Sequence, residues 1–457
     1  MTYDEFLRKK EVAAPLVGMK NVPDLSGSLF SHQRDVVDFL LRAGRGAAFL
    51  DTGMGKTIVE MEFGRAIVEH ENKPVILFAP LAVGKQHQRE AERFGIDAKI
   101  AKDQSDVSSP RIYISNYERM HLFDPDKFSG VILDESSVLK SFTGKTTRAL
   151  MEFGGGMRWK LAATATPAPN DHMELGQHSQ FLGVMSSSEM LARWFITDQS
   201  EMGRYRLKKH GIKSYWSWVA SWARCAGSPS DLGYSDDGFK LPPLNIHRHV
   251  VDTDMTAGAD GMLFRIPDMS ATSIHKEKRL TAMDRASKIA EIVNAEPSEA
   301  WMIWVETDYD ADAIMSMLPG AVEVRGTMPA EVKEERLDAF TRGEIRVLVS
   351  KPSIAGFGLN WQHCARTAFV GLSFSYEMFY QAIRRFWRFG QKRAVECHIA
   401  MAETETAIWQ TIQRKKEDHE SMKIEMFDAM HREVIVRGVK NAYQPTETAQ
   451  LPIWFKK

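Results

Sequence analysis

The sequence predicts an α/β fold of two parallel-sheet units in tandem, on three observations. In the first half, short apolar runs alternate with helix-patterned segments: Ala47-Ala48-Phe49-Leu50, then runs at 75–80, 111–118, 131–133 and 159–163. The alternation restarts near Trp301, with runs at 301–305, 321–324, 346–350 and 367–370. Finally, polar and charged groups collect just after these runs, and the C-terminal ends of parallel strands are where open α/β sheets bind ligands.

The first such group is Asp51-Thr52-Gly53-Met54-Gly55-Lys56-Thr57. An apolar run precedes it, and Val59, Phe63, Ala66 and Ile67 follow at helical spacing, so a helix is expected to open near Lys56. Strand, glycine loop and helix together let the backbone N–H groups of Gly53, Met54 and Gly55 converge on phosphate oxygens. Lys56 would reach the terminal phosphates, and the Thr57 hydroxyl would ligate Mg2+. Leu50 stands where the longer pattern has its first glycine, so this is the short GxGKT form.

Val131-Ile132-Leu133-Asp134-Glu135 reads as a buried strand that delivers two acids at its end. A magnesium–nucleotide site needs one acid on the metal and one on the water, and Asp134 and Glu135 fit those roles in that order. The hydroxyls of Thr164 and Thr166 close the next run, where they could bond the catalytic acid and couple it to the γ-phosphate. In the second half, Gln381, Arg385 and Arg388 fall at i, i+4 and i+7, one face of an expected helix. Two arginines there could neutralise a transferring phosphoryl group, a contribution of about 10³–10⁵ in rate.

Composition bounds the remaining possibilities. The 457 residues are 44% hydrophobic and 26% charged, with a net charge of −1 that neither advertises nor excludes nucleic acid. Cys225, Cys364 and Cys397 are widely spaced, which excludes a disulfide framework or zinc ribbon and fits a reducing compartment. No apolar run is long enough for a membrane span, and the first residues do not read as a signal peptide. A soluble cytoplasmic protein is expected.

In order along the chain, Phe30-Ser31-His32-Gln33, the GxGKT loop, Asp134-Glu135 and Thr164-Ala165-Thr166-Pro167 resemble the motifs of superfamily-two helicases. The segments at 134–140, 164–170 and 116–118, and 381–391 as a QAxxRxxRxGQ motif, resemble the Swi/Snf-like branch of double-stranded DNA translocases. Ser136-Ser137 departs from that branch, which has a small residue followed by histidine. The resemblance covers about residues 28–182 and 246–412. It implies two RecA-like lobes with ATP and Mg2+ in the cleft, Gln33 reading adenine, and Gly358 in a glycine-rich segment near ATP. The compact size resembles bacterial or phage members.

The expected organisation is an N-terminal extension (1–26), lobe one (27–184), an aromatic and basic insertion with a hinge (185–245), lobe two (246–425) and a tail (426–457). Arg204, Arg206, Lys208, Lys209 and Lys213 in the insertion are candidate phosphate contacts, and Trp194, Trp216, Trp218 and Trp222 lie among them. The tryptophans could stack on bases or simply pack a helix. The leading expectation is a monomeric ATPase that tracks along double-stranded DNA. Alternatives are a strand-separating DNA or RNA helicase, and an ATP-gated clamp without productive turnover.

Overall fold

The computed structural model describes residues 12–140, 144–168, 171–197, 205–251, 271–356 and 359–432. Among these, the first sheet is built from β1 (Arg45–Leu50), β2 (Val75–Ala79), β3 (Ala98–Ile100), β4 (Ile112–Asn116), β5 (Gly130–Asp134) and β6 (Trp159–Ala163). A hairpin of β7 (Phe195–Thr197) and β8 (Tyr205–Leu207) precedes a further strand, β9 (Ala223–Ala226). The sheet order is β3-β4-β2-β5-β6-β1-β9, with every pairing parallel. Parallel strands covered on both faces must be apolar throughout, and β2, β5 and β6 are buried at every position.

The second sheet contains β10 (Leu244–Val251), β11 (Trp301–Val305), β12 (Val322–Val324), β13 (Val347–Ser350), β14 (Arg366–Val370) and β15 (Val395–Ala402). Its order is β10-β15-β14-β11-β13-β12, again all parallel. The two α/β units expected from the alternation of runs are therefore two separate parallel sheets flanked by helices. No helix among the described residues is long and apolar enough to cross a membrane.

The stretch at 185–245 does more than separate these units. β9 pairs with β1 and so forms an edge of the first sheet. The helix Ile212–Ala220 packs Trp216 and Trp218 into the first lobe, with Trp222 just beyond its end: all three are at most 1% exposed, and Trp194 stacks on Trp218 at 4.8 Å. These rings are core, which removes them as base-stacking platforms. The last described helix, Thr406–Met430, starts against lobe two, where Ile408 and Ile412 are core. It ends against lobe one, where Met422 and Met426 join that lobe's core.

Candidate functional site

β1 ends in the glycine loop, and the helix Lys56–Glu71 opens directly behind it. Gly53 and Gly55 hold φ of 96° and 85°, conformations that favour glycine because a Cβ would clash with the backbone. A Cβ on Gly55 would also lie 2.2 Å from Gln33 Nε2. Gln33, buried on the helix Ser31–Ala43, donates from Nε2 to the Met54 carbonyl (3.1 Å) and accepts the Phe30 N–H (3.1 Å). The structure thus brings Gln33, Gly53, Met54, Gly55, Lys56 and Thr57 to one place.

Asp134 ends β5, and Glu135 follows in the left-handed region at φ 53°. Asp134 Oδ1 accepts the Glu135 N–H at 2.9 Å, and the Tyr117 hydroxyl donates to the Asp134 carbonyl at 2.5 Å. Thr164 donates from Oγ1 to Glu135 Oε2 (3.2 Å), and the Thr166 N–H donates to Thr164 Oγ1 (3.1 Å). Of the two hydroxyls expected to couple the acid to its neighbours, only that of Thr164 bonds Glu135; Thr166 joins through its backbone N–H, and its buried hydroxyl has no hydrogen-bond partner among the described residues. Burial raises the Glu135 carboxyl above its ordinary value, and the nearby Asp134 charge adds to this against the pull of Lys56 and Arg385.

Three residues on this site, Glu60, His87 and His178, escaped the sequence reading. His87, on the helix Gly84–Arg93, places Nε2 3.2 Å from Asp134 Oδ2 and 3.4 Å from Glu60 Oε2, all three residues being buried. Burial alone would raise Asp134, but the positive His87 and Lys56 beside it hold it below the ordinary carboxylate range. Burial and Asp134 together push Glu60 up to about 7. His178, on the helix Leu175–Leu182, reaches Ser136 Oγ with Nε2 at 3.2 Å. It thus supplies an imidazole beside the acid box, whose own sequence has serines where the related motif has histidine. Burial lowers the His178 pKa to about 4.

The donor set suits a hard cation. The Thr57 hydroxyl and Asp134 carboxylate are oxygen donors of the kind Mg2+ prefers, whereas His87, held positive between Asp134 and Glu60, is a partner of the acids and not a ligand. Thr57 and Asp134 would hold the ion, which would neutralise charge on the bound phosphates.

Lobe two brings its arginines to the same cleft, though not on a continuous helix. The helix Tyr376–Ile383 stops before them, so the expected single face is corrected to a helix end followed by turns. Arg385 nevertheless folds back, donating from Nε to the Gln381 carbonyl (3.0 Å) and from Nη2 to Gln381 Oε1 (3.1 Å). Both Arg385 and Arg388 bond the Leu359 carbonyl, at 3.2 and 3.5 Å, and Arg388 also bonds Asn360. Burial lowers the Arg385 pKa to about 10, opposed by the charges of Glu135 and Asp134 across the cleft. Burial likewise lowers Arg388 to about 9. The arginine that touches the glycine loop is neither of these. Arg384 donates from Nη2 to the Thr52 carbonyl (2.6 Å) and to Asp51 Oδ1 (3.1 Å).

Gly358 and Arg204 lie outside the described residues. Of the other candidate phosphate contacts, Arg206, Lys209 and Lys213 are exposed. Lys208 instead donates from Nζ to the Ala192 and Arg193 carbonyls (3.0 and 2.9 Å), capping the end of the helix Ser187–Trp194.

Residues 284–390 match the model of the helicase conserved C-terminal domain. A curated relative, "DNA annealing helicase and endonuclease ZRANB3" from Bos taurus, is 22% identical over 86% of this chain. The chain spans 40% of that relative's length. Among solved structures, a point variant of S. cerevisiae Dbp5 bound to RNA and ADP BeF3 superimposes with a TM-score of 0.56 at 12% identity, covering 87% of this chain and 93% of that one. Two parallel-sheet lobes, with a glycine loop and acid pair on the first and arginines reaching the same cleft from the second, have the fold of superfamily-two helicase-like ATPases.

Proposed function

We propose that this protein is a nucleic-acid-dependent ATPase that uses ATP and Mg2+ to drive movement on nucleic acid. The observation that carries the reading is the meeting of the lobes at the glycine loop, where Arg384 of lobe two donates to the Thr52 carbonyl (2.6 Å) and the neighbouring Arg385 is buried. ATP would be held by Gly53, Gly55, Lys56 and Thr57, with Gln33 against the base and Gly358 nearby. Glu135 would orient the water, and Arg385 and Arg388 would stabilise the transferring phosphoryl group. Closure of the cleft on ATP and its release after hydrolysis would alternate the grip of the two lobes on the strand backbone.

Of two finer readings, the comparisons lend more support to a DNA or RNA helicase: the curated relative is named a helicase, and the structural neighbour is bound to RNA. The Swi/Snf-like spelling of residues 381–391 favours tracking along double-stranded DNA. In either case Arg206, Lys209 and Lys213 are the exposed cations of the 185–245 stretch offered for phosphate contact, so little sequence preference is expected. A monomer in the cytoplasm of a bacterial or phage-infected cell, organised with boundaries near 26, 184, 245 and 425, completes the proposal.

Steady-state ATP hydrolysis at low salt, measured alone and with duplex DNA, single-stranded DNA or RNA, tests it. Stimulation by any of these, abolished in Lys56→Ala, is the expected result. Stimulation confined to duplex DNA ranks tracking first, whereas stimulation by single strands or RNA ranks strand separation first. Hydrolysis that no nucleic acid stimulates would contradict the motor.

A further inference from the structure

The carboxylate of Asp51 stands at the entrance of the glycine loop and gathers partners from three separate parts of the chain. Its Oδ1 accepts the Thr52 N–H (2.6 Å), the Tyr380 hydroxyl (2.6 Å) and Arg384 Nη2 (3.1 Å). Its Oδ2 accepts Lys423 Nζ at 3.0 Å, and the same ammonium donates to the Tyr380 hydroxyl at 3.0 Å. The side chains of Asp51, Arg384 and Lys423 are 14%, 5% and 12% exposed, so these bonds are made largely out of water. Charge-assisted bonds in such surroundings are strong and directional.

The cluster acts on the shape of the loop itself. Asp51 is fixed from behind by its N–H bond to the Ala226 carbonyl (2.9 Å), so its carboxylate orients Thr52 from a rigid base. Arg384 grips the Thr52 carbonyl from the other lobe. Phe389 seats its backbone against the loop so closely that a Cβ on Gly53 would fall 2.8 Å from the Phe389 nitrogen. Because one carboxylate meets two cations, the cluster also leaves a net positive charge beside the place where phosphates would sit.

We infer that Asp51 and Lys423 are positioning residues for the glycine loop, through Tyr380 and Arg384, so that the helix Thr406–Met430 takes part in nucleotide binding. That helix is built to transmit the effect. It begins in the core of lobe two and crosses to lobe one, where Trp216 Nε1 donates to Glu425 Oε2 (3.3 Å). Between these two footings it sends Lys423 to the loop. A loop held in its binding conformation loses less freedom when phosphates arrive, and this is how a residue that touches no nucleotide raises affinity. The inference rests on the proposal that the loop binds nucleotide.

The test uses the full chain and a fluorescent ADP analogue, with Lys423→Met and Lys423→Arg beside the wild type. Removing Lys423 leaves Asp51 and Arg384 balanced one to one, so the Met variant is expected to fold. It should bind ADP about tenfold more weakly and show a similar rise in KM for ATP, with kcat changed much less. The Arg variant should recover most of that loss. Amide exchange in the helix should slow on ADP binding in the wild type and not in Lys423→Met. Unchanged affinity in Lys423→Met, even with a lowered melting temperature, overturns this inference alone and reduces Lys423 to a tether. A wild type that does not bind ADP overturns the nucleotide reading and this inference with it.

Discussion

Glu135 and Asn72 are the two non-glycine residues at positive φ among those described. Asn72 caps a helix end, a position where asparagine tolerates this conformation. Glu135 has no such excuse, and the left-handed region costs about 1–2 kcal/mol for an ordinary residue. The strain turns its carboxylate toward Thr164, and Ser136 toward His178. His178 gives a pH-dependent prediction. Its pKa lies near 4 when folded, below the ordinary 6.5, so the unfolded chain binds the extra proton between those values. Its contribution to stability is complete above about pH 6.5 and is lost as pH falls toward 4, up to about 3 kcal/mol. Thermal melts of His178→Gln from pH 7.5 to 4.5 should show a shallower acid decline than the wild type; parallel curves would contradict the assignment. The acids and the lysine of the site were legible because their chemistry is written in contiguous motifs. Glu60, His87 and His178 were not, since each reaches the site from the middle of a helix whose sequence shows no chemical pattern.

Element boundaries explain most of what differed from expectation. The helix opening at Lys56 and the runs that became β2, β5, β6, β11 and β13 were readable because buried parallel strands must be apolar. β9 was not, because Arg224 interrupts it. That guanidinium is buried over the Phe39 ring at 3.3 Å and donates to the Ala220 carbonyl, so a charged residue fills an interior strand position. The helix carrying Gln381 ends early for a comparable reason. The Arg385 carbonyl is turned away to accept the Trp361 N–H at 3.0 Å, a contact across 24 residues that helical spacing cannot foresee. The aromatic helix Ile212–Ala220 yields a stability prediction. Trp218 is fully buried against Trp194, Tyr215 and Trp222. Trp218→Ala should cost about 3–5 kcal/mol in denaturant unfolding. A loss below about 1 kcal/mol would mean that this helix does not hold the first lobe together.

Across the whole molecule, the lobes meet through exposed and partly buried ion pairs as well as through the buried cluster at Asp51. Lys85 pairs with Glu334, Arg89 pairs bidentately with Asp338 at 2.7 and 3.2 Å, and Lys140 pairs with Glu377. Such pairs contribute about 0–1 kcal/mol each and are screened by salt, with a Debye length near 3 Å at 1 M. A pair of dyes on the two lobes should therefore report a wider cleft at high salt in the absence of nucleotide. The double variant Lys85→Ala/Arg89→Ala should already be wide at low salt and change little on salt addition. Equal separations at all salt concentrations would show that the exposed pairs do not hold the cleft.

If one ATP site is completed by both lobes, as proposed, Arg385→Ala removes the contribution of lobe two and leaves the glycine loop in place. Nucleotide affinity and single-turnover hydrolysis should be measured together on this variant and on the wild type. Near-normal binding is expected, because the glycine loop is intact, with hydrolysis slowed by about 10³ or more. Hydrolysis within a few-fold of wild type would contradict a site shared by both lobes, since chemistry would then be complete on lobe one alone.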